Sequence, residues 1–158
     1  MEQIDRIILL DKPAGISSFG CVARVRRYLS QAVGHKVKVG HCGTLDPFAT
    51  GLLIIVTGKN TKRAMEFTKL DKVYAATVQL GATSTTGDPE GEITAVSSEQ
   101  PSLMAIQAAA EQLTGVIQQT PPAFSAIKVN GQRAYKLARQ GQEAVSYTHL
   151  TLPTTERV

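Results

Sequence analysis

The order of apolar and polar residues divides the chain into short strands and helices. Residues 5–10 end in the apolar run Ile-Ile-Leu-Leu and predict a short buried strand, and residues 52–56 form a continuous apolar run between two glycines. Because such a run is typical of a buried strand, residues 52–56 predict a central strand buried on both faces. Residues 72–80 alternate between apolar and polar positions, which predicts a strand with one buried face. Residues 93–96 predict another short strand, which follows a polar loop over residues 83–92.

Helical spacing of apolar residues marks two segments in the first half of the chain. Residues 19–33 predict a helix, and either Ser17 or Ser18 can cap its first turn. A second predicted helix runs through residue 70 and begins at one of two capping candidates, Asn60 or Thr61.

The second half continues the same mixture. Residues 101–113 predict a helix that ends near Gly115 and directs four apolar side chains inward: Leu103, Ile106, Ala110 and Leu113. Residues 124–129 predict a strand, residues 130–131 a tight turn and residues 133–140 a helix. Strands and helices mix without strict alternation, so the predicted fold class is α+β, with a mixed, largely antiparallel sheet flanked by helices.

Composition restricts the class of protein more than its chemistry. The 158 residues are 42% hydrophobic and 19% charged, which suits a globular domain. The net charge of +4 is compatible with binding to RNA phosphates. The two cysteines form neither a disulfide framework nor a metal-ligand set, and no apolar stretch reaches membrane length. We therefore expect a cytoplasmic protein without a metal or a membrane span. We also expect a monomer.

The richest local pattern is the segment Gly-His-Cys-Gly-Thr-Leu-Asp-Pro-Phe-Ala-Thr-Gly at residues 40–51. It places the carboxylate of Asp46 in a glycine-rich turn that leads directly into the predicted central strand. Asp-Pro pairs initiate turns, and enzymes often hold a nucleophile on a rigid loop above a buried strand. The alternative is that Asp46 only caps a turn.

This segment resembles the GHxGTLDPxATG motif of the TruB family of pseudouridine synthases. Three further segments resemble family motifs in the same order. Residues 10–18 (LDKPAGISS) resemble KPxGxxS, residues 71–74 (DKVY) resemble DKxY, and residues 120–135 resemble TPPxFSAxKxxGxRAY. The four motifs lie within residues 7–143, which is nearly the whole chain.

The resemblance implies that uridine in the T-loop of tRNA is isomerised to pseudouridine, without a cofactor, after the base is flipped out of its stack. One alternative is the relative that modifies ribosomal RNA under the direction of a guide RNA. Another alternative is an RNA-binding or RNA-folding module without catalysis. Replacement of Asp46 by Asn distinguishes catalysis from binding alone.

The resemblance also assigns site residues. Asp46 corresponds to the family's nucleophilic aspartate, and His41 to the histidine that fills the space left by the flipped base. Tyr74 corresponds to the tyrosine that stacks on the target uracil and also handles a proton. Without the resemblance, His41 is more typical of a turn or core histidine and Tyr74 of a half-buried strand tyrosine.

Two lysines complete the predicted substrate-binding set. Lys12, with Pro13, is expected to support the catalytic loop, and Lys12 is also a candidate contact for RNA. Lys62 lies near a predicted helix start, from which it could reach a phosphate; a solvated surface lysine is the alternative. No residue is assigned to a metal.

One family segment is missing. The family carries a later Gly-x-Tyr-x-Arg element, whose arginine pairs with the nucleophile, and this sequence contains none. We therefore interpret residues 1–144 as the N-terminal part of the catalytic domain, without the family's C-terminal RNA-binding domain. We expect the fragment to be inactive or barely stable.

Residues 145–158 show no periodicity and are expected to have no counterpart in the family. Their first six residues, Val-Ser-Tyr-Thr-His-Leu, are also the translation of GTC-TCT-TAT-ACA-CAT-CTG, which resembles the end of a transposase-based sequencing adapter. We interpret residues 145–158 as a non-native read-through tail; a natural linker is the alternative. An uninterrupted genomic reading frame through these codons would contradict the first interpretation.

Overall fold

A computed structural model of the protein describes residues 4–119, 128–129, 132–133 and 148–152. The chain forms two compact units, residues 1–76 and 77–158. The elements of the first unit are β1 (Ile7–Lys12), α1 (Ser18–Val33), β2 (Val39–His41), β3 (Gly51–Thr57), a 3₁₀ segment (Gly58–Arg63) and α2 (Ala64–Thr68). The elements of the second are β4 (Ala82–Ser84), β5 (Ile93–Ala95), α3 (Leu103–Gln112), β6 (Gly115–Gln119), β7 (Lys128–Val129), β8 (Gln132–Arg133) and β9 (Thr148–Leu152). This α+β content with antiparallel pairing confirms the predicted fold class.

The first unit is built on a three-stranded antiparallel sheet with the order β1-β3-β2. The pairing of β1 with β3 runs from Ile7 opposite Val56 to Lys12 opposite Gly51. The central position of β3 confirms the prediction made from its apolar run. The prediction that both faces are buried is wrong at one end of the strand, because Leu52 is 63% exposed.

Helix α1 covers one face of this sheet. Ser17 is its N-cap: the hydroxyl oxygen accepts a hydrogen bond from Gly20 N at 3.0 Å. The helix buries Cys21 against Leu53 and Ile55 of β3, and these three residues form one cluster of buried apolar side chains in the core of the unit. Full burial of a side chain such as Leu or Ile stabilises the folded state by about 1.5–3 kcal/mol. The sequence prediction of this helix is confirmed.

The helix predicted from Asn60 or Thr61 through residue 70 differs from the structure in type and length. The segment begins as a 3₁₀ helix at Gly58 and becomes α-helical only over Ala64–Thr68. The Thr61 hydroxyl donates to Gly58 O at 2.7 Å, so it bonds within the 3₁₀ turn and does not cap an α-helix. Short polar side chains compete for backbone groups in this way and disfavour a regular α-helix.

The strand predicted over residues 72–80 is wrong. Residues 71–79 have no regular secondary structure, and Val73 and Val78 are mostly exposed. An alternating pattern specifies which side chains would share a face, but a strand also needs a partner for its backbone groups. In the part of the chain that the structure describes, no strand pairs with this segment.

In the second unit, β4 and β5 form a hairpin with Ala82 opposite Ala95. The predicted short strand at residues 93–96 is therefore confirmed over Ile93–Ala95. Residues 85–92, which lie within the predicted loop, form the hairpin connection, and Thr85 N donates to Glu92 O at 3.1 Å across it.

Helix α3 has the predicted position, with Ser102 as its N-cap, but its apolar face is exposed. The prediction that Leu103, Ile106, Ala110 and Leu113 are directed into a core is wrong, because all four are exposed to solvent. Periodicity places these side chains on one face of the helix, whereas burial needs a second element that covers the face.

Backbone pairing describes the remaining strands. β6 pairs with β9, and β7 pairs with β8. The strand predicted over residues 124–129 is represented by β7, while residues 124–127, the predicted turn and residues 134–140 of the predicted helix lie outside the described residues. β9 lies within the segment interpreted as a read-through tail, and the origin of that tail stays a prediction.

Candidate active site

Asp46 lies on the loop that joins β2 to β3, here called the Asp46 loop (residues 42–50). Cys42 N donates to Ile54 O at 2.8 Å, which ties the start of the loop to β3. Gly43 lies near the start of the loop and Gly51 directly follows its end, and their φ values are +119° and +113°. Residues with a Cβ atom rarely adopt such φ values, so glycine at both positions allows the backbone to change direction sharply.

A buried serine holds the residue before Asp46. Ser18 is 2% exposed, and its hydroxyl oxygen lies 2.9 Å from both Leu45 N and Leu45 O. A hydroxyl has one hydrogen to donate and lone pairs to accept with, so Ser18 accepts from Leu45 N and donates to Leu45 O. The Leu45 side chain also packs against the core cluster. Leu45 is thus fixed by its backbone and by its side chain.

A buried lysine holds the residue after Asp46. Lys12 is 0% exposed, and its ammonium donates to Pro47 O at 3.2 Å, to Ile16 O at 2.7 Å and to Pro13 O at 3.0 Å. Gly15 N donates to the same Pro47 carbonyl at 2.8 Å. A buried ammonium is tolerated only when its hydrogens find acceptors, and three carbonyls provide them here. The turn after β1 is therefore bonded to the Asp46 loop.

Asp46 itself is exposed, between these two fixed neighbours. Its carbonyl accepts a hydrogen bond from Ala49 N at 3.1 Å, which closes a turn inside the loop. Among the described residues, the ion pairs join Lys59 to Asp5 and Arg63 to Glu66, so neither uses the Asp46 carboxylate. The arrangement presents a carboxylate to solvent on a backbone that is held from both sides.

His41, the last residue of β2, is attached to the same loop. Its Nδ1 lies within hydrogen-bonding distance of Gly43 O. A carbonyl oxygen can only accept, so Nδ1 carries the hydrogen in this contact and the ring is tied to the start of the Asp46 loop. Side-chain hydrogen bonds therefore join both His41 and Lys12 to the loop that carries Asp46.

Among the described residues, no hydrogen bond or ion pair joins the side chain of Lys62 or Tyr74 to the Asp46 loop, His41 or Lys12. Lys62 is exposed on the 3₁₀ segment, which follows the end of β3 opposite Gly51. The seven residues of β3 separate Gly51 from this segment by about 20 Å, whereas His41 pairs with Ile55, near the end of β3 that leads into the segment. Tyr74 is 67% exposed in the irregular segment after α2, so its predicted place on an alternating strand is wrong.

The burial of Lys12 bears on its predicted roles. Its ammonium is fully buried and bonded to protein carbonyls of the loop and of the turn after β1; a contact of Lys12 with RNA stays a prediction. Sequence reasoning missed Ser18 and Gly15 as loop supports. The two consecutive serines could have indicated such a support, because only one of them can be the N-cap and the hydroxyl of the other can bond to another part of the chain.

The two cysteines provide a probe of this region. Cys21 and Cys42 are 4% and 6% exposed, and burial raises the pKa of the Cys42 thiol. We expect both thiols to react with a disulfide reagent at least about 100-fold more slowly in the native protein than in urea, because the reactive thiolate is disfavoured and covered.

The direction of the pKa shift also predicts a pH dependence. Because the unfolded thiol ionises first, the stabilising contribution of the protonated Cys42 is complete below about pH 8.5 and is lost as the pH rises through its folded pKa. Thiol labelling at several urea concentrations and pH values measures both effects. Fast labelling of Cys42 in the native protein at neutral pH would contradict the expectation.

The described part of the chain contains neither a candidate membrane span nor a candidate metal site. Its helices include none that is both long enough and apolar enough to cross a membrane. Nor do its His, Cys, Asp and Glu side chains form a group of three or more that could hold a metal ion.

Comparison with known proteins identifies the family of the chain. The family described as "TruB family pseudouridylate synthase (N terminal domain)" matches residues 26–151. The chain belongs to this family of pseudouridylate synthases. The GHCGTLDPFATG segment around Asp46 and most of the first unit lie within the matched region.

The chain is also similar to individual members. It is 47% identical over 139 residues to tRNA pseudouridine synthase B of Phocaeicola vulgatus, a match that covers 87% of this chain and 59% of that protein. Against the protein of the same name from Bacteroides fragilis, identity is 48% over 139 residues, covering 87% and 60% respectively. Against that of Neisseria meningitidis serogroup B, it is 46% over 138 residues, covering 87% and 43%. The chain thus spans three-fifths or less of the length of these relatives.

Proposed function

We propose that this protein acts in the conversion of uridine to pseudouridine in the T-loop of tRNA, with Asp46 as the nucleophile. The relatives are named tRNA pseudouridine synthase B, which supports tRNA as the substrate class. The T-loop and the role of Asp46 rest on the resemblance of residues 40–51 to the family's catalytic motif.

The observation that carries the proposal is the way the Asp46 loop is held. Leu45 is bonded to Ser18 at both of its backbone groups, and Pro47 O accepts from Lys12 and Gly15. An attacking group must reach its target within a few tenths of an ångström of the productive position. A carboxylate that only capped a turn would not need both of its neighbours fixed while it remained exposed.

The chemistry requires no oxidant, reductant or external group. The bond between C1′ of the ribose and N1 of the uracil breaks, the base turns, and C1′ bonds to C5. The hydrogen on C5 is released as a proton, and N1 takes up a proton, so the reaction is an isomerisation. Asp46 provides a transient covalent bond that divides this rearrangement into easier steps.

The reaction also requires access to a base that is stacked in folded RNA. A flipped nucleotide leaves a space in the stack, and we assign the partly buried ring of His41 to that space. The contact of Nδ1 with Gly43 O supports this role, because it fixes the ring relative to the Asp46 loop. Tyr74 would stack on the extruded uracil, and its exposed ring is available for that contact.

The two lysines receive different roles. Exposed Lys62 is assigned to an RNA phosphate, which its freely accessible ammonium suits. Lys12 is assigned to support of the Asp46 loop. We also propose that the chain by itself is inactive, because its sequence contains no Gly-x-Tyr-x-Arg segment to provide the arginine partner of Asp46.

Tritium release from an RNA labelled at C5 of the T-loop uridine tests the function. The assay compares this chain with a chimera in which it is joined to the remaining sequence of the Bacteroides fragilis relative. We expect release with the chimera and none above background with the chain alone. A chimera that binds the RNA but releases no tritium would contradict the catalytic proposal and favour an RNA-binding module. Release by the chain alone would contradict its predicted inactivity.

A further inference from the structure

The two consecutive serines at the start of α1 have separate tasks. Ser17 is the N-cap and accepts from Gly20 N, which satisfies a backbone donor of the first helical turn. Ser18 is the first helical residue, and its hydroxyl bonds to Leu45, 27 residues away in sequence. Since capping is already provided by Ser17, the helix does not need the Ser18 hydroxyl.

The bonds of Ser18 form a two-point bracket on one residue. Both backbone groups of Leu45 are paired with a single hydroxyl at 2.9 Å, and the bracket is 2% exposed at Ser18. A residue held at its N–H and its C=O can rotate little about either neighbouring peptide. The next peptide along the chain is that of Asp46, so the bracket restricts the direction in which the Asp46 side chain leaves the backbone.

We propose that Ser18 is a positioning residue for Asp46, and that the bracket on Leu45 orients the carboxylate for attack. The inference rests on the proposed function, because it assigns a partner to the same nucleophile. Lys12 and Gly15 hold the opposite side of Asp46 through Pro47. With that side intact, loss of the bracket leaves the carboxylate present but free to adopt unproductive directions.

The test compares S18A with S17A in the chimera described above. S18A removes the bracket and keeps the helix cap, whereas S17A removes the cap and keeps the bracket. We expect S18A to lower kcat by about 10- to 100-fold with KM changed by less than about twofold, as a displacement of the reacting group by about 1 Å does. S17A should leave kcat within about twofold when both proteins are fully folded. S18T, which retains a hydroxyl, should recover most of the lost kcat.

A second measurement separates the bracket from the chemistry. Hydrogen exchange of the Leu45 amide in this chain should accelerate by about tenfold or more in S18A, and much less in S17A. Unchanged exchange in S18A would overturn the bracket, and faster exchange with unchanged kcat would overturn its role in positioning. Equal loss of kcat in both variants would also overturn the role, because it would show a general effect on the fold. Failure of the proposed function would give a different result. The unaltered chimera would then release no tritium, or its D46N variant would remain active, while exchange of the Leu45 amide would still accelerate in S18A.

Discussion

D46N is expected to lower pseudouridine formation by about 10⁴-fold or more, since an amide is a far poorer nucleophile than a carboxylate. The substitution keeps the size and shape of the side chain. Asp46 is exposed, and its backbone is held through Leu45 and Pro47, so the free energy of unfolding should change by no more than about 0.5 kcal/mol. Tritium release from T-loop RNA by the chimera measures the rate, and urea unfolding measures the stability.

The matched control for this variant is D11N. Asp11 is an exposed aspartate on β1, opposite Leu52 in the sheet, and it has no assigned role in the reaction. We expect D11N to retain activity within about twofold of the unaltered protein. RNA binding should persist in D46N. Full activity of D46N would remove Asp46 from the mechanism, whereas a parallel loss of RNA binding would indicate that Asp46 acts in binding.

The largest effect on stability is expected from Lys12. Replacement by methionine keeps most of the buried aliphatic part of the side chain but removes the ammonium that donates to the carbonyls of Pro13, Ile16 and Pro47. Carbonyls left without a partner in a buried environment each cost about 1–3 kcal/mol, although Pro47 O retains the bond from Gly15. We expect K12M to lose about 2–4 kcal/mol of unfolding free energy.

Thiol labelling reports this loss directly, because the only two cysteines of the chain, Cys21 and Cys42, lie in the first unit. The labelling midpoint in urea should fall clearly for K12M. The control is K62M, which removes an exposed ammonium and should change the free energy by less than about 0.5 kcal/mol. Equal midpoints for K12M and the unaltered protein would show that the three carbonyl contacts do not stabilise the unit.

Features that depend on neighbouring residues could be predicted from the sequence. The apolar run of β3 and the serine cap of α1 are local signals, and the structure contains both elements. The strand predicted over residues 72–80 fails because strand formation depends on a pairing partner that an alternating pattern cannot specify. The prediction that the apolar face of α3 is buried is wrong for a related reason, because the sequence of the helix does not determine which element covers that face.

The candidate site divides in the same way. Asp46 and His41 follow from a contiguous motif, and the resemblance assigns them without any structure. The bonds that hold the loop join residues 27 and 35 positions apart, from Ser18 to Leu45 and from Lys12 to Pro47. A lysine in a polar turn is most often exposed, so its burial could be recognised only once the carbonyls around it were located.

The most direct test of the account is a nucleotide-resolution map of pseudouridine in tRNA after incubation with the chimera and with its D46N variant. Carbodiimide adducts on pseudouridine stop reverse transcription one nucleotide away, so each modified position gives a discrete stop. The account predicts one stop in the T-loop with the Asp46 protein and none with D46N. A T-loop stop that persists in D46N, or stops only outside the T-loop, would contradict it.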